Sequence, residues 1–379
     1  MSQPPKVPRP SPVPRVPLPE RLRDPDRLRA ANGPVIDVDG DSCVVTFVRD
    51  APAATAVLLF ANRLTDESDP GATEMERVGA VGPWALSVRM ASTWRASYAF
   101  LVHEGPGAPP WRRPDGHVRL RALLDRGLPD AGDTDRVLNR AGTEMSVVSL
   151  PHAPAQPWRG DPFAKRPPAH RVAGRDVWVH RVGDGRDLPV VVLLDGEVWL
   201  DHHGLHGALD LAHESGALPA HVAVFVASGS VADRWADVGT REGVTAFVAS
   251  DLLPWLHARE DVSREPDRTV VAGQSLGGMS ALWAVALHPD RVGVAVAQSA
   301  SLWKDDPAPA LAASGGRVLL DVGLQEWTLL PLHRRLAGDL AASGARVELS
   351  EFDGGHDYAC WRGSLIDLVA RALSSSPHA

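Results

Sequence analysis

Thr269-Val270-Val271-Ala272-Gly273-Gln274-Ser275-Leu276-Gly277-Gly278-Met279-Ser280 decides the fold. A β-branched run feeds Gly-x-Ser-x-Gly, and a helix-favouring segment, Ala281 to Leu287, follows at once. That order is the strand–turn–helix setting in which a serine stands on a tight turn with its hydroxyl exposed. Glycines flank Ser275 because strand and helix backbones approach closely there. An ordinary β-to-α turn would carry the same motif, so the reading needs an acid and a histidine further along, in that order.

Both are present. The stretch Val347 to Phe352 alternates polar and apolar residues like a last strand, Gly354-Gly355 breaks it, and His356 lies on the loop beyond. A histidine so placed can reach a nucleophile at hydrogen-bonding distance. With fifteen histidines in the chain, position rather than residue type carries this assignment. Arg317 to Gly323 reads as the penultimate strand, which makes Glu326, in the loop after it, the candidate orienting carboxylate ahead of Asp321 within the strand. Asp305 and Asp306, one loop earlier, are the fallback, and a Ser–His dyad without an acid is the remaining alternative.

An oxyanion hole needs two N–H groups aimed at developing charge. Leu276, directly after the nucleophile, supplies one. The other is expected from the loop Asp195-Gly196-Glu197 after the buried run Leu188 to Leu194, at Gly196 or Glu197, glycine allowing close backbone approach to substrate.

Outward from the elbow, strands at 176–180, 190–194, 221–226, 269–272, 292–297, 318–322 and 347–352 alternate with helical segments. This is an α/β pattern, a mostly parallel sheet covered on both faces, with chemistry at the carboxyl ends of its strands. Before it, runs at 43–48, 55–60, 84–90 and 96–102 between turn signals suggest an all-β immunoglobulin-like sandwich. The prolines from Pro151 to Pro168 mark the boundary. The expected organisation is a disordered Pro-rich tail over 1–30, a β-sandwich over 31–157 and a catalytic domain over 158–379.

Composition narrows the function. The 379 residues are 44% hydrophobic and 23% charged, ordinary for a globular chain of two or three domains. A net charge of −8 with no basic stripe argues against nucleic acid. No run reaches the ~18 apolar residues of a membrane span, and the first nineteen residues carry no apolar core of a secretory signal. Cys43 and Cys360 fall in different expected domains and suggest no disulfide framework. His202-His203-x-x-His206 follows Asp201 but holds no glutamate base and sits at a loop-to-helix start, so no metal or other cofactor is assigned. Most of the twelve tryptophans are expected in packing. Trp199 and Trp303, just past strand ends that border the site, are the exceptions.

Leu194-Asp195-Gly196-Glu197-Val198-Trp199, Val271 to Gly278, Gln298-Ser299-Ala300-Ser301-Leu302-Trp303, and Gly354-Gly355-His356-Asp357 with Cys360-Trp361-Arg362-Gly363 resemble the enterochelin (enterobactin) esterase family. Gly82-Pro83-Trp84 and Thr93-Trp94-Arg95-Ala96-Ser97-Tyr98-Ala99-Phe100 extend the likeness upstream. The resemblance implies an esterase D-like α/β-hydrolase domain behind an E-set β domain. It also implies a cytoplasmic serine esterase acting on a ferric or apo catecholate siderophore, iron entering only with the substrate. It makes Arg234 a holder of the anionic ligand, Trp199 and Trp303 stacking faces for catechol rings, and Arg95, with Trp94 or Tyr98, a contribution from the β domain. Leu302-Trp303-Lys304 departs from the family's Tyr-Trp-Trp cluster, and Arg234-Trp235-Ala236-Asp237-Val238 from its Arg-x-x-Glu-Leu. A general or feruloyl-type esterase of the same fold and a non-catalytic siderophore carrier are the competing functions; oligomeric state is not legible.

Overall fold

The structure, a computed structural model, describes residues 7–113, 120, 123–124, 126–132 and 134–374. Three sheets organise them. Two antiparallel sheets form a sandwich. One holds β1 (Arg15–Val16), β2 (Val35–Asp39), β3 (Ser42–Arg49), β5 (Glu76–Arg77) and β6 (Trp84–Ala91), in the order β1-β6-β3-β2 with β5 on β6. The other holds β4 (Ala54–Ala61), β7 (Arg95–Glu104), β8 (Asp135–Leu138) and β9 (Glu144–Ser149), in the order β4-β7-β9-β8. Alternate residues of both sheets meet in a core of Val45, Phe47, Val57, Leu59, Leu86, Val88, Trp94, Tyr98 and Phe100.

The third sheet has eight strands: β10 (Ala169–Val172), β11 (Arg175–Val182), β12 (Val190–Leu194), β13 (His221–Val226), β14 (Thr269–Gln274), β15 (Val294–Gln298), β16 (Arg317–Gly323) and β17 (Arg346–Phe352). Their order is β10-β11-β13-β12-β14-β15-β16-β17. Pairing is antiparallel up to β11–β13 and parallel from β13–β12 onward. Side chains alternate across the sheet. Val191, Leu193, Val270, Ala272, Val296 and Leu319 join the core under the C-terminal helix Tyr358–Leu373. Val190, Val192, Leu194, Val271, Ala297 and Leu320 face the helices Leu276–Leu287 and Leu330–Ala342. With both faces covered, the central strands are apolar throughout, as their sequences require. This is the α/β-hydrolase fold behind an all-β domain.

The two parts share one core. Leu58, Phe60, Leu101, Val137 and Val147, from the sheet containing β4 and β7, belong to the same apolar cluster as Tyr358, Trp361 and Leu365. The helix Tyr358–Leu373 packs directly against β7 and β8.

The expectation of a disordered tail over 1–30 is corrected over 7–30; residues 1–6 lie outside the described residues. Proline's extended preference, which prevents helix, suits an edge strand. β1 covers the free edge of β6. Arg15 donates to the carbonyls of Ala72 and Glu74 and pairs with Glu76, and Leu22 and Leu28 are buried beside Ala85.

Candidate active site

Ser275 follows β14 with φ 57° and ψ −114°, a region that costs an L-residue strain and is tolerated where the surroundings hold it. Gly273 is required by the same turn, since a Cβ there would lie 2.4 Å from the carbonyl carbon of Gly277. Its backbone is pinned on both sides: the Ser275 N–H donates to the Gln298 carbonyl (3.0 Å), and the Ser301 N–H donates to the Ser275 carbonyl (3.0 Å). From 271 to 280 every residue is buried except Ser275. Its Oγ lies 3.3 Å from the Ser301 hydroxyl.

Glu326, after β16, and His356, after β17, are joined by a 2.7 Å contact between Oε2 and Nδ1. The carboxylate is buried and the imidazole about a quarter exposed. Oε1 of Glu326 accepts from the Ser299 hydroxyl (2.5 Å) and the Gly323 N–H (3.0 Å). Burial alone would raise this carboxyl group. The charge and hydrogen bond of His356, then Arg63 and the Ser299 hydroxyl, outweigh it and hold the group at about 2. The expected order of serine, acid and histidine therefore ends at three loops on one edge of the sheet. The fallback acids are otherwise engaged. Asp305 pairs with Arg241 through two bonds, and Asp306 accepts from the Ala308 N–H. Asp321 accepts from Ser364 (2.7 Å) and Gln298 (3.3 Å), with burial pushing it up to about 6.

One turn links both ends of this arrangement. Ser301 touches Ser275, while Ser299 touches Glu326 and accepts from the Trp361 indole N–H at 2.9 Å. Between them the Ala300 N–H donates to His333 Nε2, whose Nδ1–H donates to the Leu329 carbonyl. Buried His333 is thus neutral and of fixed tautomer, burial lowering its pKa. Trp361 also sets its edge against the His356 ring, centroids 4.7 Å apart. Ser299, Ser301, His333 and Trp361 carried no chemical signal in the sequence beyond two quoted motifs.

Leu276 opens the helix Leu276–Leu287, so its N–H has no intrahelical partner. Gly196 opens the helix Gly196–Asp201 at the end of the adjacent strand β12. The two helix starts adjoin, a Cβ on Gly277 falling 3.7 Å from Asp195 Oδ2. The structural reason for glycine at 196 differs from the one expected. A Cβ there would sit 2.5 Å from the Val226 N atom, so β13, rather than a substrate, requires it. Glu197 accepts from Ser228 and approaches Arg140.

Three expected substrate contacts have other occupations. Arg234 is buried and bonds Asp195 with both Nε and Nη2 at 2.7 Å. Asp195 is also met by Ser228 and, from the β domain, by Arg140 at 2.8 Å. Burial opposes its ionisation, but the two arginines hold it at about 2. Trp199 is fully buried, its indole N–H donating to Gln274. Arg95 is buried, donating to Ser149 Oγ (2.8 Å) and the Pro154 carbonyl (2.6 Å), and Trp94 and Tyr98 lie in the sandwich core. The sequence could not reveal these partners because they lie 39 to 75 residues away in other elements. Trp303 remains half-buried beside Trp235, ring centroids 6.4 Å apart, with Lys304 over Trp235. Removing Arg234 leaves Asp195 under-compensated. We expect Arg234→Ala to cost about 3–5 kcal/mol, measured by chemical denaturation, with KM changing only as far as the fold does.

His202, His203 and His206 do not gather into a ligand set, and among the described residues no cluster of His, Cys, Asp and Glu could hold a metal ion. Cys43 and Cys360 are buried and unpaired. Among the described residues no helix is long and apolar enough to cross a membrane.

Residues 176–372 match the family model described as putative esterase, and residues 44–159 match that of the enterochelin esterase N-terminal domain. This chain belongs to the enterochelin esterase family. An iron(III) enterobactin esterase of Escherichia coli K12 is 29% identical over 318 residues, covering 77% of this chain and 80% of the relative. The crystal structure of a ferric enterobactin esterase from Salmonella typhimurium matches with a TM-score of 0.80 at 25% identity, covering 92% of this chain and 98% of that one. An enterobactin esterase from Shigella flexneri, solved in the presence of 2,3-dihydroxy-N-benzoyl-serine, matches at 0.76 and 26% identity, covering 93% and 98%.

Proposed function

We propose that this member of the enterochelin esterase family is a serine esterase that opens the ester backbone of a catecholate siderophore of the enterobactin type. The observation that carries it is the Glu326–His356 contact on the same sheet edge as a serine held at positive φ. Glu326 keeps the proton on His356 Nδ1, leaving Nε2 free to accept the Ser275 proton as Oγ attacks an ester carbonyl. The N–H groups of Leu276 and of Gly196 or Glu197 stabilise the oxyanion. His356 then protonates the departing serine alkoxide of the substrate, and a water activated by the same imidazole frees the acyl group.

The matched N-terminal family model and the substrates named for the relatives support the substrate class. With Arg234 and Arg95 committed to buried partners, the half-buried Trp303, beside Trp235, is the stacking face we retain for a catechol ring. The iron arrives and leaves with the ligand. The two unpaired buried thiols suit the reducing cytoplasm, where we place the enzyme.

The test compares ferric enterobactin, the iron-free ligand and p-nitrophenyl esters, with liberated 2,3-dihydroxybenzoyl-serine followed by chromatography. The reading expects siderophore kcat/KM to exceed that of the aryl esters by at least about 10²-fold, since binding energy from the catechol arms is used in the transition state. Equal values would favour a general esterase. Binding without turnover would favour a carrier.

A further inference from the structure

The β domain reaches the histidine loop at every residue from 353 to 357. The Arg95 N–H donates to the Asp353 carbonyl (3.0 Å), and Thr93 donates to the Asp353 carboxylate (2.9 Å). A Cβ on Gly354 would lie 2.9 Å from the Arg95 carbonyl oxygen. One on Gly355 would lie 2.5 Å from both Asn62 Oδ1 and Arg63 Cγ. The Asn62 amide donates to the His356 carbonyl at 2.9 Å, and the Ser97 N–H donates to the buried Asp357 carboxylate at 2.5 Å. The Gly-Gly before the histidine is therefore room for a neighbouring domain.

Asn62 is held firmly for this purpose. It directly follows β4, and its own N–H donates to the Ser97 carbonyl at 2.9 Å. The next residue, Arg63, is non-glycine at φ 60°, a strained conformation of the kind that persists when neighbours fix it. Those neighbours include the N-terminal segment. The Arg9 guanidinium donates to the carbonyls of Arg63 (3.1 Å) and Leu64 (3.2 Å), and the Trp327 indole N–H, one residue past Glu326, donates to the Val7 carbonyl (2.9 Å). Arg63 lies over the Trp327 ring at 5.3 Å.

We propose that Asn62 is a positioning residue for the general base: by holding the His356 carbonyl it sets where the imidazole stands between Glu326 and Ser275. The inference rests on the hydrolase reading above. Glu326 holds Nδ1 and Trp361 packs against the ring, but both act on the side chain; the Asn62 bond fixes the backbone from which that side chain projects. Misplacement on the 1 Å scale costs catalysis about 10²-fold without touching the substrate. The β domain thus contributes to the chemistry through the histidine loop.

The test measures steady-state kinetics of the full chain on a p-nitrophenyl ester, with kcat expressed per folded protein, the folded fraction being read from the denaturation curve of each variant. Asn62→Ala, and Asn62→Asp, which keeps the size but has no donor, are each expected to lower kcat roughly 10- to 100-fold with KM within about twofold. In the His356→Ala background the same changes should cost less than about twofold, because the group they position is gone. A purely structural role would lower the folded fraction and act equally in both backgrounds. Asn62 variants within about threefold of the parent kcat, beside an inactive Ser275→Ala, overturn the positioning role alone. Full additivity with His356→Ala overturns it too. Turnover retained in Ser275→Ala overturns the hydrolase reading itself, and the positioning role with it.

Discussion

Ser275→Ala is expected to lower kcat by about 10⁴-fold or more on any ester the enzyme turns over, roughly 5.5 kcal/mol of transition-state stabilisation. Ligand binding should be nearly unchanged, because in the proposed mechanism the hydroxyl removed is the attacking atom rather than a binding contact. Alanine removes the Oγ that now sits 3.3 Å from Ser301 but leaves both backbone bonds that pin the turn. The variant should therefore fold as the parent does. His356→Ala should cost about as much, and the double variant little more than either, since nucleophile and base act as one unit. Pre-steady-state kinetics on an aryl ester give the check: the burst of acyl-enzyme should vanish in Ser275→Ala. Near-normal turnover would remove Ser275 from the mechanism. A Ser301→Ala control separates the two hydroxyls, because only one of them lies on the strained elbow.

The fold was legible where physics acts locally. β12, β13, β14 and β16 start and stop within two residues of the expected runs, because buried parallel strands are apolar and glycine or proline bounds them, and the edge strand β17 does so through its polar–apolar alternation. The weak strands were missed. β1 and β5 are two residues each and β8 is four, and such strands exist by pairing with β6 or β9 rather than by their own pattern. The proline-rich tail misled for the same reason: its prolines up to Pro19 favour extended chain, and a free strand edge, with Leu28 of the short helix Pro25–Arg29 buried beside Ala85, gives the segment a place.

The site divides in the same way. Ser275 and His356 are placed where the sequence puts them, on a tight glycine turn and on a loop past the last strand, the positions that a nucleophile and a base would need. Arg234 and Arg95 read as free cations in one dimension. In three, each arginine is bonded by groups far away in sequence, Asp195 and Ser149, and a buried guanidinium without such partners would be costly. Cys360-Trp361-Arg362-Gly363 was recognised only as a pattern. The structure supplies its causes. Cys360 lies 3.5 Å from the Arg95 carbonyl, Trp361 meets Ser299 and His356, and Arg362 donates to Gln156 and the Arg136 carbonyl. A Cβ at 363 would strike Gln156 at 2.4 Å. The motif is a joint between domains beside His356, and no residue spacing encodes that.

Glu326→Gln is expected to lower kcat by about 10²- to 10⁴-fold with little change in KM, and the hydrogen bonds say why the isosteric change is so costly. Trp361 donates to Ser299 Oγ, which commits the serine proton to Oε1 of Glu326. The Gly323 N–H donates to the same oxygen. A glutamine must keep its carbonyl oxygen on that side and turn its NH2 toward His356 Nδ1. That amide can only donate, so Nδ1 becomes the acceptor and the proton moves to Nε2, the nitrogen that has to receive the Ser275 proton. A loss below about threefold would instead support a Ser–His dyad, since Asp305 and Asp306 are engaged elsewhere. Stability supplies a second readout with a definite sign. Held at about 2, below its unfolded value, Glu326 contributes stability that is present above the unfolded carboxyl pKa and lost as pH falls through the folded one. That contribution is about 3 kcal/mol at most. Glu326→Gln should therefore lower Tm at pH 7, and the gap to the parent should narrow steadily from pH 5 toward pH 3. A gap that stayed constant with pH would mean that the buried carboxylate is not held ionised by His356.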